Sequence, residues 1–236
     1  MRRLIYVPVV HSAMEVYGKA VSEEIKNLSL NTDPLWDLIE KELEELNLDY
    51  SKVHLYQDSL PDLSDAQLIY DGVLQLAEDG SRNFQVLLKL FRKGGTLEGT
   101  ESAGIWEKFF RIERNLRPMI SEPRLVWELR KIMVICQYKF SGEIPFSVGN
   151  SYESVMEYFV DLRDRYIGKK ISQTLRDGET GILFIGARHS ANKYLADDIE
   201  VKVLDKVGDW ITENMEKFLK NGNARKIQEI RDRGEF

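Results

Sequence analysis

Two of the three histidines in the chain, His11 and His189, follow short apolar runs of the kind that form buried strands, Leu4 to Val10 and Gly181 to Gly186. In a parallel sheet both would emerge at the carboxyl edge, where open α/β sheets hold their ligands. A neutral imidazole at that edge can bind a divalent metal or move a proton near pH 7. Gly186 opens the turn Gly186-Ala187-Arg188-His189 and, lacking a Cβ, lets backbone approach a bound group, which makes it a candidate cofactor-binding residue. His54 differs. Between Val53 and Leu55, inside a strand-like run, it reads as a packed or edge residue.

Carboxylates and one guanidinium complete the set. Glu98 and Glu101 lie at the end of a short strand over Thr96 to Glu98. A carboxylate there can accept a proton from water, ligate a metal, or cap the helix that starts near Ala103. Further on, Met156, Val160, Ile167 and Ile171 share one stripe of a long helix, and Arg163 and Asp164 flank that stripe. Both charges therefore point toward the sheet. An ion moved inside alone costs several kcal/mol, so each must pair, reach water or contact a ligand. Arg165 faces away, toward solvent. The chain carries no GxSxG elbow, no P-loop, no GxGxxG fingerprint and no HExxH helix, so it lacks the sequence motifs of serine hydrolases, P-loop nucleotidases, Rossmann dehydrogenases and zincins.

The elements that must position these groups alternate between strand and helix patterns. Arg3 to Val10, Lys52 to Gln57, Thr96 to Glu98, Gly181 to Gly186 and Ile199 to Leu204 read as strands. Helical periodicity covers Ala13 to Leu28, Leu35 to Leu46, a span after the capping box Ser64-x-x-Gln67, Phe84 to Phe91, Tyr152 to Leu175 and Trp210 to Phe218. Asp33-Pro34 reads as an N-cap followed by proline at the first helical position. The expected architecture is α/β, a mostly parallel sheet flanked by helices. One α/β domain would span 1–220, with a helical insertion lobe at about 102–147 and a charged helical tail over 221–236.

Composition bounds the function classes. With 33 Lys and Arg against 39 Asp and Glu, the net charge of −6 argues against a phosphate-neutralising surface, so no nucleic-acid partner is expected. The single cysteine, Cys136, cannot form an intrachain disulfide or a thiolate zinc cluster. No apolar run approaches the roughly 18 residues that span a bilayer, so no membrane partner is expected. Two arginines and a short apolar stretch open the chain without a small-residue cleavage site, which predicts a cytoplasmic protein.

In their order these motifs resemble the superfamily that groups TraB and GumN-type proteins, Tiki proteases, ChaN-like haem-binding lipoproteins and erythromycin esterases. The corresponding stretches are Val7-Pro8-Val9-Val10-His11, Gly99-Thr100-Glu101, Arg163-Asp164 and Gly186-Ala187-Arg188-His189. Tyr158 to Leu204 carries most of the likeness, and Pro8 stands where the family pattern has its first glycine. The resemblance implies a hydrolase of an ester or amide in a small-molecule or peptide ligand. His11, Glu101 and His189 would hold a divalent metal such as Mn2+ or activate water directly. Arg163 would stabilise the oxyanion, and Asp164 would orient Arg163 or a histidine. The alternative is a binding or regulatory protein using the same crevice for a small, haem-like ligand, with aromatic contacts from Tyr17, Trp106, Phe109 and Phe110. A homo-oligomer is compatible with either reading.

Overall fold

The apolar run at the start of the chain forms strand β1 (Arg2–Val9), and the run after Glu179 forms β4 (Thr180–Gly186), paired in parallel at the centre of a five-stranded sheet. The computed structural model describes residues 1–11, 22–105, 107–108, 151–223 and 226–227. Leu4, Val7 and Val9 on β1 and Ile182, Leu183, Phe184 and Ile185 on β4 are fully buried. Burial on both faces is the reason these segments show no polar alternation. Strand β2 (Val53–Gln57) lies beside β4, β3 (Thr96–Glu98) beside β2, and β5 (Ile199–Val203) beside β1. The order is β3-β2-β4-β1-β5, all parallel, and the architecture is α/β.

Pro8 fits this sheet for a definable reason. Tyr6 accepts from Leu204 on the β5 side, so by the two-residue repeat Pro8 also turns its backbone toward β5. Pairing with β5 stops at Tyr6, so the N–H that proline lacks has no ladder partner to lose.

Among the described residues six α-helices accompany the strands: α1 (Glu23–Leu28), α2 (Asp33–Glu45), α3 (Ala66–Glu78), α4 (Arg82–Arg92), α5 (Ser151–Thr174) and α6 (Asp205–Lys220). Alternate residues of each strand divide between two cores. Ile5, Val7, Leu55, Ile182 and Phe184 pack with Leu35, Trp36, Ile39 and Leu43 of α2, Leu87 of α4 and Val207 of α6. On the opposite face Leu4, Tyr6, Tyr56, Leu183 and Ile185 pack with Ile167 and Ile171 of α5 and with Ala191. After β1 the chain thus packs its helix α2 on one face, and after β4 it packs Ala191 on the other. The crevice between the carboxyl ends of β1 and β4 is a topological switch point, the place where such sheets bind ligands.

Two helix starts differ from expectation by one residue. Helix α2 is capped by Thr32 with Asp33 already helical, and α3 is capped by Asp65, whose Oδ1 accepts from Gln67 N at 2.9 Å, rather than by Ser64. In the second case a carboxylate one residue closer to the helix takes the cap, which anions favour. Residues 13–21 of the expected first helix, residues 109–147 of the expected lobe, the four aromatics Tyr17, Trp106, Phe109 and Phe110, and most of the tail lie outside the described residues. No described helix is long and apolar enough to cross a membrane.

His54 sits between two carboxylates, with Nδ1 3.0 Å from Glu98 and Nε2 3.0 Å from Glu179. The contact with Glu98 raises its pKa most, burial opposes the rise, and Glu179 adds to it. A raised imidazole pKa stabilises the fold fully below the unfolded value, about 6.5, and that contribution disappears as pH climbs through the folded value. His54→Gln should therefore cost about 2 kcal/mol in urea unfolding at pH 5.5 and clearly less at pH 9. A cost independent of pH would show that the imidazolium is not what ties β2 to β3 and to the start of β4.

Candidate functional site

Each strand of the inner sheet delivers a polar residue at its carboxyl end. His11 follows β1, Asp58 follows β2, Glu101 follows β3 and His189 follows β4. Because β4 lies between β2 and β1, the first, second and fourth of these converge. Oδ2 of Asp58 is 3.7 Å from Nε2 of His11 and 3.9 Å from Nε2 of His189. The imidazoles from opposite ends of the chain thus meet around one carboxylate that is only 2% exposed.

Asp58 is held from both sides. Gly186 N donates to Oδ2 at 2.8 Å, and Gln57 Nε2 donates to Oδ1 at 2.7 Å. Burial acts to raise its pKa, but His11, the Gly186 amide and His189 act together the other way and hold it below the ordinary carboxylate range. The site therefore keeps a buried negative charge between its two imidazoles.

His189 is fixed through its other nitrogen. Nδ1 lies 2.6 Å from Asp164 Oδ1, while Asp164 Oδ2 accepts from Ser190 N at 2.7 Å. An ionised carboxylate only accepts, so this contact places the ring proton on Nδ1 and leaves Nε2 basic. Tyr6 donates its hydroxyl to the His189 carbonyl at 3.1 Å and secures the same loop. Burial pushes the Tyr6 phenol up, so it serves as a donor throughout the ordinary pH range.

Arg163, one residue before Asp164 on α5, is directed elsewhere. Its Nε lies 2.9 Å and 3.2 Å from the two carboxylate oxygens of Glu101, and its Nη2 reaches Oε1 at 2.5 Å. Glu101 is completely buried and also accepts from Ser59 N at 3.1 Å. The backbone path into Glu101 explains Gly99. A Cβ there would come within 2.3 Å of the Pro61 carbonyl, and the close approach lets Thr100 N and Glu101 N donate to Leu60 O at 2.9 and 3.0 Å.

The residues singled out by sequence thus separate into two linked clusters. His11, His189 and Asp164 share the crevice floor with Asp58, and Gly186 lies beneath them. Glu101 and Arg163 pair with each other beside it, with the Glu101 carboxylate committed to Arg163 and Ser59 rather than to an imidazole. Among the described residues no group of three or more His, Cys, Asp or Glu side chains is placed to hold a metal ion. Asp58 was not singled out. The signal for it was its place directly after a strand, the same position that marks His11 and His189, and it gains meaning only once β2 and β4 are neighbours.

A cleft of about 840 Å³ opens above this floor. Its lining includes the polar residues His11, Asp58, Arg163, Asp164 and His189 and the apolar residues Val10, Val160, Ile211 and Met215. Its volume lies in the range of small-molecule sites. A Cβ added at Gly186 would stand 3.3 Å from Asp58 Oδ2, 3.4 Å from His189 Cδ2 and 3.6 Å from His11 Nε2. Only the Asp58 contact is tighter than ordinary van der Waals distance, and that carboxylate is anchored by Gln57 and the Gly186 amide, so Gly186→Ala should cost about 1 kcal/mol in urea unfolding as the carboxylate is pushed aside. An unchanged midpoint would mean that the floor is looser than these distances describe. The chain matches no family model, no curated protein and no solved structure.

Proposed function

We propose that the protein hydrolyses an ester or amide bond in a small-molecule or peptide ligand, with His189 as general base. The observation that carries this reading is the 2.6 Å contact between His189 Nδ1 and Asp164 Oδ1 on the floor of the cleft. It gives the imidazole a fixed tautomer, a fixed ring plane and a basic Nε2, the three properties a proton acceptor needs. Asp58 stands beside that nitrogen, with a carboxylate oxygen 3.9 Å away.

The test is turnover of a panel of p-nitrophenyl esters and fluorogenic peptides by the full chain and by His189→Ala. Loss of about 10²- to 10⁴-fold in the variant is expected for a general base. The assay is repeated after EDTA and after added Mn2+. Activity that survives the chelator supports the imidazole base, whereas activity lost to it and restored by Mn2+ would move the role to a divalent ion. The apolar residues among the cleft lining favour a second reading, a carrier of a small or haem-like ligand. Saturable binding without any turnover, accompanied by a visible absorbance change with haem, would select it.

A further inference from the structure

The turn after β2 adopts a backbone that its residues do not favour. Leu60 N donates to Gln57 O at 3.1 Å, so residues 57–60 form a β-turn with Asp58 and Ser59 at its centre. Ser59 has φ of 71°, in the left-handed region. Glycine or asparagine normally occupies such a position, and serine remains there only where the surroundings enforce it. Here the enforcement is visible. Ser59 N is held by Glu101 Oε1 at 3.1 Å, and Glu101 is clamped by Arg163. A fully buried carboxylate and its guanidinium thus fix the backbone of one exposed serine.

Ser59 lines the same cleft as His189 and Asp164, and its hydroxyl makes no hydrogen bond among the described residues. The preceding residue, Asp58, brings its carboxylate to 3.9 Å from His189 Nε2, so Ser59 stands one residue from the group that faces that nitrogen. A strained residue that presents a hydroxyl at the end of a strand is the mechanical principle of a nucleophile elbow. The absence of GxSxG is no obstacle, because such triads are defined by geometry and roles rather than by sequence.

We propose that Ser59 is the nucleophile of this site and completes a Ser59–His189–Asp164 triad. The proposal rests on the reading of His189 as base and adds a covalent intermediate to it. Ser59 Oγ bonds to the substrate carbonyl carbon as its proton passes to His189 Nε2. The bond from that carbon to the leaving oxygen or nitrogen then breaks, and the leaving group takes the proton from Nε2. Water attacks the acyl carbon, gives a proton to Nε2, and Ser59 departs with that proton while the carboxylic acid is released.

The test uses the full chain and an alkyl fluorophosphonate, whose phosphorus Ser59 Oγ would attack with loss of fluoride. One phosphonyl adduct is expected by intact mass, mapped to the peptide that contains Ser59, and its formation should slow about 100-fold in His189→Ala. Ser59→Gly controls for folding, since glycine accepts the left-handed φ; it should retain the parent Tm and lose the adduct. No adduct, an adduct on another residue, or an adduct retained in Ser59→Gly overturns the proposal. If ester turnover needs His189 yet persists in Ser59→Gly, the base acts on water and only the nucleophile is refuted. If Ser59 is labelled while the whole panel is inert, the nucleophile stands and the ester or amide reading fails.

Discussion

Arg163→Ala is expected to destabilise the protein by about 3–5 kcal/mol in urea unfolding, the cost of leaving a buried charge without its partner. Glu101 is entirely enclosed, whereas the Arg163 side chain is 13% exposed, so nearly all of that cost falls on the carboxylate. Glu101→Gln in the Arg163→Ala background should recover part of the loss, because it removes the uncompensated charge while keeping an acceptor for Ser59 N. A double-mutant cycle on the pair measures this coupling directly. A single variant that unfolds within about 0.5 kcal/mol of the parent would show that the pair is solvated and that Ser59 is held by something else.

Asp164→Asn is the second large effect, and it separates catalysis from folding. The asparagine carbonyl can still accept from Ser190 N, which holds the side chain in place and turns its amide group toward His189. That amide donates, so the facing Nδ1 must become the acceptor and the ring proton moves to Nε2. The basic nitrogen is then lost from the cleft without loss of the contact. Hydrolysis should fall by about 10³- to 10⁴-fold, in kcat rather than in KM, with a Tm close to the parent. If Asp164→Asn keeps full kcat, His189 is not a base and the dyad is only a loop anchor.

The sheet was legible in the sequence because its central strands are buried on both faces. Leu4 to Val10 and Gly181 to Gly186 are continuous apolar runs, and β1 and β4 occupy them to within two residues at either end. Helix α5 was legible for a related reason: Ile167 and Ile171 mark its inner stripe and are fully buried, and Asp164 beside them is 3% exposed, as its place on the helix required. The pairings within the site were not legible. A periodic pattern assigns a residue to a face but does not say which strand lies next to which, so nothing joined Asp58 to His11 or Glu101 to Arg163. Ser59 was hidden in another way. Asp-Ser after a strand reads as an ordinary turn, and only the φ of Ser59 sets it apart.

The placement of β4 between β1 and β2 governs the order in which the chain can be built. As the polypeptide leaves the ribosome, β2 meets β3 early, but β1 has no neighbour in the described sheet until Thr180–Gly186 and then Ile199–Val203 have been synthesised. Both of its backbone edges wait for those late strands, and pairings so distant in sequence form slowly. Nascent chains halted before Thr180 would carry β1 without either of its neighbours in the described sheet.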